Sequence, residues 1–182
     1  MRQSRTVTMA KIMLNNVRIS FPSLFRKATF NGEETKFEGT FLIGKKEGKA
    51  TIEEIDAAIK AIMREDLKGT KLAPDKICFK DGDNIDYAGY AGNMSIKASS
   101  TKRPIVIDRD KSPLTEDDNR IYAGCRVNAV IELWAQNNNY GKRINASLLG
   151  VQFFKNDEPF ADGGKGSLSD FEAFGEETAD FV

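Results

Sequence analysis

Two neighbouring segments, residues 123–136 and 142–154, alternate apolar and polar side chains over a length and with a period that are typical of β-strands. The short polar segment between them, residues 137–141 (NNNYG), has the composition of a hairpin turn. The pattern therefore predicts a long β-hairpin with one face in a core. The residues expected on that buried face of the first strand are Cys125, Val127, Ala129, Ile131 and Leu133.

The remaining periodic segments add strands and one helix. Residues 11–20 and 36–43 are rich in strand formers, and three shorter strands are expected at 76–80, 93–99 and 103–108. Thr51 and Glu54 have the spacing of a capping box, isoleucines follow at helical spacing, and Gly69 closes the run. We therefore expect one helix in a mainly β fold, either a small antiparallel barrel or a sandwich.

Composition divides the chain into three parts. We expect a flexible leader over residues 1–10, one folded domain over residues 11–155, and a flexible acidic tail over residues 156–182. The tail is rich in glycine and poor in aliphatic residues, so it is predicted to be disordered.

The amino-acid composition excludes many kinds of catalytic site. The 182 residues include no histidine, which removes the commonest general base and the commonest metal ligand. Cys78 and Cys125 lack CxxC spacing, so no zinc or redox site is indicated, and we predict no cofactor. No apolar run approaches the roughly 20 residues of a membrane span. The first nine residues do not resemble a secretory signal, so we expect a cytoplasmic protein without membrane association.

The net charge of zero conceals an asymmetry between body and tail. Residues 156–182 hold eight acidic residues against one lysine, a net charge of −7, so residues 1–155 carry +7. A basic body with an acidic end is typical of a protein that meets polyanions.

Positive and aromatic residues are interleaved in the body. This pairing favours single-stranded nucleic acid, since cations neutralise phosphates and unpaired bases stack on rings. Trp134 and Tyr140 are the strongest stacking candidates, because Trp134 faces away from the aliphatic side and Tyr140 lies at the hairpin tip. The predicted site comprises Trp134, Tyr140, Lys142, Arg143, Arg126, Lys36, Phe37, Tyr87, Tyr90, Lys97, Lys102 and Arg103.

The tail is predicted to have two roles. As an acidic segment tethered to a basic surface, it would compete with DNA at high effective concentration. Its phenylalanines among acids are typical of a segment that docks on other proteins. The residues expected to do so are Asp170, Phe171, Phe174, Glu176, Glu177, Asp180 and Phe181.

Two other functions fit parts of the pattern. Carboxylate pairs such as Asp108 with Asp110 leave open a metal-dependent nuclease, although they lie among basic residues in predicted loops. An adaptor whose body binds no nucleic acid is the second alternative.

The segment 122–160, with the opening residues 11–25 (KIMLNNVRISFPSLF) and the strand 36–43, resembles a bacteriophage single-stranded DNA-binding protein family. The resemblance implies an OB-fold barrel with one inserted helix, and coating of single-stranded DNA in replication and recombination without sequence preference. It also implies dimeric or cooperative assembly in the host bacterial cytoplasm, no catalysis, and a tail that recruits replication or recombination proteins. Related tails end in phenylalanine, whereas here Val182 follows Phe181.

Overall fold

A computed structural model describes residues 8–160 and 171–175 of the chain. Five long strands form a β-barrel at its centre. These strands are β1 (Ala10–Ser23), β4 (Phe37–Gly44), β6 (Asn93–Ser100), β8 (Arg126–Asn138) and β9 (Gly141–Lys155). Antiparallel pairing runs in the order β6-β4-β1-β8-β9, and a parallel contact between β6 and β9 closes the ring. This order is the OB-fold topology, so the expected OB-fold barrel is confirmed.

The predicted hairpin is present as β8 and β9, which pair from Arg126 with Lys155 to Asn138 with Gly141. Its predicted inner face is buried in full, because every second residue of β8 points into the barrel. Two register shifts along the pair bend these long strands, as barrel closure requires.

Helix α1 (Lys49–Asp66) packs against β1, β4 and β8 through Ile55, Ile59 and Ile62. The expected capping box at Thr51 is wrong, since the helix begins two residues earlier and its N-cap is Gly48, without a side-chain cap. The end is as expected, because Gly69 has φ of +74° and donates its N–H to the carbonyl of Met63.

The shorter elements decorate the barrel. The two-residue strands β2 (Thr29–Phe30) and β3 (Glu33–Glu34) form a short hairpin that the sequence pattern did not predict. Strand β5 (Phe79–Asp81) pairs with β6, and β7 (Ile105–Ile107) pairs in parallel with β9. Three single-turn 3-10 helices occupy Pro74–Lys76, Gly82–Asn84 and Glu116–Asp118.

The chain just before β5 is inserted between β6 and β9. The N–H of Cys78 donates to the carbonyl of Ile144 in β9, at 3.0 Å, and the N–H of Lys97 in β6 donates to the carbonyl of Cys78, at 3.3 Å. Ile77 also bridges Ile144 in parallel. The inserted segment therefore extends the barrel wall where β6 and β9 separate.

The folded unit extends past the predicted boundary at residue 155. Residues 156–160 pack on the barrel, with the N–H of Phe160 donating to the carbonyl of Ala123 at 3.1 Å. The sequence pattern missed this segment because its contacts are polar and irregular rather than periodic. Of the predicted leader, residues 1–7 lie outside the described residues, and Ala10 begins β1.

Candidate nucleic-acid interface

A groove of about 570 Å³ crosses the outer face of β4 and β6 and extends to the start of β9. Its walls are the inserted segment before β5, the end of β1, and the loop that leads into β6. The lining side chains that matter for binding are Phe21, Glu38, Thr40, Lys76, Lys80, Tyr87, Tyr90, Ser95, Lys97, Arg143 and Asn145. Most of these residues lie on strands, so the barrel holds them in place.

Three aromatic rings form a cluster at one end of the groove. The ring centroids of Phe21 and Tyr87 are 5.0 Å apart, and those of Tyr87 and Tyr90 are 5.4 Å apart, both in edge-to-face geometry. Phe21 is 42% exposed and Tyr87 is 53% exposed, whereas Tyr90 is 3% exposed. Tyr90 therefore supports Tyr87 from below, and the two exposed rings are open to a ligand.

Phe21 owes its outward position to an unusual backbone. Its φ is +48°, in the left-handed region, and it lies where the pairing of β1 with β4 shifts register between Ser20 and Ser23. Such a conformation costs about 1–3 kcal/mol in a residue with a side chain. The bulge turns the ring out of the strand alternation and towards Tyr87.

Tyr90 is buried beside the hydroxyl groups of Ser20 in β1 and Thr40 in β4. Burial raises the pKa of Tyr90 above its usual range, and these two neighbouring hydroxyl groups act in the opposite direction. The Tyr90 hydroxyl therefore stays protonated at neutral pH.

The loop of residues 82–92, called the aromatic loop below, carries Tyr87 and Tyr90. Lys45 at the end of β4 pairs with Asp81 at 2.8 Å and with Asp83 at 2.6 Å. Asp83 also accepts the N–H of Gly92 at 2.7 Å, so the two ends of the loop are tied together. Lys45 lowers the pKa of Asp81, the Gly92 N–H chiefly lowers that of Asp83, and the two carboxylates raise the pKa of Lys45.

Cations line the rest of the groove. Lys97 in the middle of β6 pairs with Glu38 of β4 at 3.2 Å and remains largely exposed. No carboxylate within residues 8–160 or 171–175 forms an ion pair with Lys80 or Arg143. The groove therefore offers positive charge next to flat rings, the combination that suits a chain of phosphates bearing unpaired bases.

Cys78 lies in the groove wall and is partly buried. Burial raises the pKa of its thiol to about 12. The thiol is therefore protonated at neutral pH, and it is free, as is that of Cys125.

Four of the predicted site residues meet in the groove: Tyr87, Tyr90, Lys97 and Arg143. Trp134 is half-buried on the outer face of β8, opposite Asn145, one strand away from the groove. Tyr140 and Lys142 lie at the hairpin tip, where Tyr140 is 89% exposed.

Of the predicted site residues, the structure corrects Phe37 and places Arg126 away from the groove. Phe37 is 9% exposed because it shares the inward parity of Phe41 and Ile43, so no base can stack on its ring. Arg126 forms an ion pair with Asp157 at 2.8 Å and does not line the groove.

The other three predicted cations lie at one end of the β4–β6 pair. Lys36 precedes the pairing of Phe37 with Ser100, and Lys102 and Arg103 follow that pairing. Arg103 donates to the carbonyl of Phe25 at 3.0 Å, which turns it towards the loop after β1. These residues extend the positive charge beyond the groove end.

The predicted tail residues are only partly described. Phe171 and Phe174 are exposed, whereas Asp170, Glu176, Glu177, Asp180 and Phe181 lie outside the described residues.

Sequence analysis missed Phe21, Lys80 and Asn145. Phe21 follows the predicted strand 11–20 and precedes a proline, and nothing in the local alternation indicates that a bulge turns its ring outward. Lys80 and Asn145 have no signal that separates them from other exposed polar residues on strands.

Within the described part of the chain, no three acidic or cysteine side chains converge as a metal site. No described helix has the length and apolar character that crossing a membrane requires.

Comparisons with known proteins agree with this geometry. The family model described as Enterobacter phage Enc34 ssDNA-binding protein matches residues 10–182. Protein p50 of Acyrthosiphon pisum secondary endosymbiont phage 1 is 43% identical over 172 residues, covering 89% of this chain and 92% of that protein.

Solved structures give the same fold. The single-stranded DNA-binding protein of bacteriophage Enc34 in complex with ssDNA is 36% identical, with a TM-score of 0.76, covering 83% of this chain and 89% of that one. Bacteriophage T7 gp2.5, a single-stranded DNA-binding protein, is 14% identical with a TM-score of 0.51, covering 87% of this chain and 98% of that one, and it supports the fold alone.

Proposed function

The chain belongs to the bacteriophage family of the Enterobacter phage Enc34 ssDNA-binding protein, and from that premise we propose that its groove binds single-stranded DNA without sequence preference. The family is one of DNA-binding proteins, and the chain is not an enzyme. The observation that carries the proposal is the exposed pair Phe21 and Tyr87 at the end of a groove that also presents Lys97, Lys80 and Arg143.

Stacking supplies affinity that does not depend on the base. Every base has a flat face, and stacking on an aromatic side chain is worth about 1–3 kcal/mol per base. Phe21 and Tyr87 stand edge to face, so bases would stack on their exposed faces rather than between them. Duplex DNA buries those base faces and cannot use the site in this way.

The cations bind the phosphates. Lys80 on β5, Lys97 on β6 and Arg143 on β9 all line the groove. A phosphate that reaches Lys97 would replace Glu38 as its partner, so binding includes an exchange of one anion for another. Contacts of this kind release counterions and weaken with salt.

The acidic tail competes for the same surface. Phe160, where the described body ends, lines a second cavity, which shares Phe21, Glu38 and Tyr87 with the groove. The tail therefore leaves the body close to the binding rings, and its acidic residues are held at high effective concentration beside the cations. DNA would displace the tail and free it to recruit proteins of replication or recombination.

Phe171 and Phe174, both exposed, are the described residues that such a partner would contact. In this proposal the protein coats and protects single strands during phage replication and recombination in the host cytoplasm. Coating would be helped by dimeric or cooperative assembly.

Fluorescence anisotropy with labelled oligonucleotides tests the binding function. We expect oligothymidylate and a mixed-sequence single strand to bind alike, and a duplex of the same length to bind far more weakly. The logarithm of the affinity should fall with the logarithm of salt concentration, at a slope of about −0.7 per phosphate contacted. Equal binding of duplex and single strand, or a flat salt response, would contradict the proposal.

A further inference from the structure

Residues 156–160, called the strap below, fold back on the barrel after β9. The strap packs so closely on Gly124 that a Cβ there would lie 2.4 Å from the carbonyl oxygen of Glu158. Gly124 has φ of +107°, which also favours glycine. The backbone at this position is therefore built to admit the strap.

Side chains from β1, β8 and the preceding loop hold the strap. Arg126 pairs with Asp157 at 2.8 Å, and Arg18 lies 3.6 Å from the same carboxylate. The Tyr122 hydroxyl donates to the carbonyl of Asp157 at 2.8 Å, and Arg18 donates to the carbonyl of Glu158. Such a set of charge-assisted contacts fixes a segment that has no regular secondary structure.

The strap ends on the aromatic loop. The guanidinium carbon of Arg18 lies 4.1 Å from the centre of the Phe160 ring, in cation–π contact. The same ring packs against Gly89, so closely that a Cβ on Gly89 would lie 2.1 Å from a ring carbon. Gly89 is two residues from Tyr87 and has φ of +86°. Phe160 thus supports the middle of the loop, whereas Lys45 ties its ends.

We propose that the strap is a positioning element for the DNA site, in which Phe160, clamped by Arg18, holds the aromatic loop so that Tyr87 faces the groove. The inference rests on the proposed function, because positioning matters only if bases stack on Tyr87. It assigns a binding role to residues that touch no nucleotide themselves. It also places the last five residues of the body, which sequence composition groups with the tail, inside the binding machinery.

The test compares Phe160→Ala with Phe154→Ala in the full chain. Phe154 is a matched control, since it also lies near an arginine, 5.9 Å from the guanidinium of Arg109, but, unlike Phe160, it does not line the second cavity beside Tyr87. Without Phe160 the loop must be ordered when DNA binds. We expect Phe160→Ala to weaken oligothymidylate binding about 2- to 12-fold, the cost of ordering one side chain, and Phe154→Ala to leave it unchanged.

A double variant separates positioning from a direct contact. If Phe160 acts through Tyr87, Phe160→Ala combined with Tyr87→Ala should bind no more weakly than Tyr87→Ala alone. Losses that simply multiply would overturn the inference. Phe160→Leu serves as the milder variant should Phe160→Ala fold poorly, and it should show the same coupling with a smaller loss.

Hydrogen exchange without DNA distinguishes failure of this inference from failure of the proposed function. The N–H groups of Tyr90 and Gly92 are hydrogen-bonded within the loop. They should exchange faster in Phe160→Ala, while amides in α1 keep the wild-type rate. Unchanged loop exchange would overturn the inference even if the wild type binds DNA. If the wild type binds no DNA but loop exchange increases, the positioning contact stands and the proposed function fails.

Discussion

The aromatic loop and the hairpin tip each present a tyrosine near cations, but the surrounding residues hold the ring of Tyr87 in place and leave that of Tyr140 free. Tyr87 contacts Phe21 and Tyr90, in a loop tied by Lys45 and supported by Phe160. Tyr140 is 89% exposed, and the turn that carries it is held by the hydrogen bond from its N–H to Asn138. A ring that is already held in place loses less conformational entropy when a base stacks on it. Tyr87 should therefore contribute more to DNA binding than Tyr140, although the sequence pattern favoured Tyr140.

The largest effect is expected from Tyr87→Ala. Removal of a pre-positioned stacking ring should weaken oligothymidylate binding by about 1–3 kcal/mol, which is roughly 5- to 150-fold. Tyr87→Phe is the control and should bind almost as the wild type does, since the ring face is kept. If anisotropy showed wild-type affinity for Tyr87→Ala, Tyr87 would not be a stacking site and the contrast with Tyr140 would be wrong.

A smaller effect is expected from Tyr140→Ala. Ordering one exposed side chain costs about 0.5–1.5 kcal/mol, so the net gain from stacking on this ring is reduced to roughly 0.5–1.5 kcal/mol. The loss should therefore be less than that of Tyr87→Ala in the same titration. A larger loss from Tyr140→Ala would show that the hairpin tip is the principal stacking site.

Truncation of the acidic tail tests whether the tail competes with DNA for the groove. With a millimolar effective concentration and a tail affinity of about 0.1–1 mM, removal of residues after Phe160 should tighten DNA binding about 2- to 10-fold at low salt. Truncation after Lys155 also removes the strap, so its gain should be smaller or reversed. Identical affinities of both truncated chains and the full chain would exclude competition by the tail.

Lys97→Gln tests the electrostatic part of the groove. Loss of one phosphate contact should reduce the salt slope by about 0.7, which changes the ratio of affinities at 50 and 200 mM salt by roughly 2.6-fold. Lys60→Gln, on the exposed face of α1, is the control and should keep the wild-type slope. Equal slopes in both variants and the wild type would place the phosphates elsewhere.

The smallest effect is a pH dependence of the aromatic loop. The pKa values of Asp81 and Asp83 are lowered in the folded chain, so their contribution is present above the unfolded value of about 3.9 and is lost as pH falls through the folded values. Protection of the Gly92 amide from exchange, corrected for intrinsic rates, should therefore decrease below about pH 4. Asp83→Asn, which keeps an acceptor for the Gly92 N–H but does not titrate, should remove most of this decrease, whereas Lys45→Met should reduce it only in part, since the Gly92 N–H is the main cause of the lowered pKa of Asp83. An undiminished decrease in Asp83→Asn would assign it to other groups.

Sequence patterns predicted the barrel better than the site. The alternation of β8 determined which residues are buried, because a strand with one face in a core must alternate. The groove depends on exceptions to such patterns. Phe21 faces outward through a bulge, and the strap is held by Arg18 and Arg126, which pair with a residue that composition assigns to the tail.

Tyr87 and Lys97 were predicted as individual residues, but their proximity could not be. They lie on different elements, and the pairing of β4 with β6 and the turn of the aromatic loop bring them together. Their place in the same groove depends on tertiary structure, which no local periodicity encodes.

The most direct test of the account is a photo-crosslink between an iodouracil-substituted single strand and the full-length protein, mapped by mass spectrometry. The oligonucleotide should be longer than the roughly 4–16 nucleotides that one OB fold covers. The account predicts crosslinks at Phe21 and Tyr87, in the groove. Crosslinks confined to Trp134 and Tyr140, on the outer face of β8 and at the hairpin tip, would contradict it.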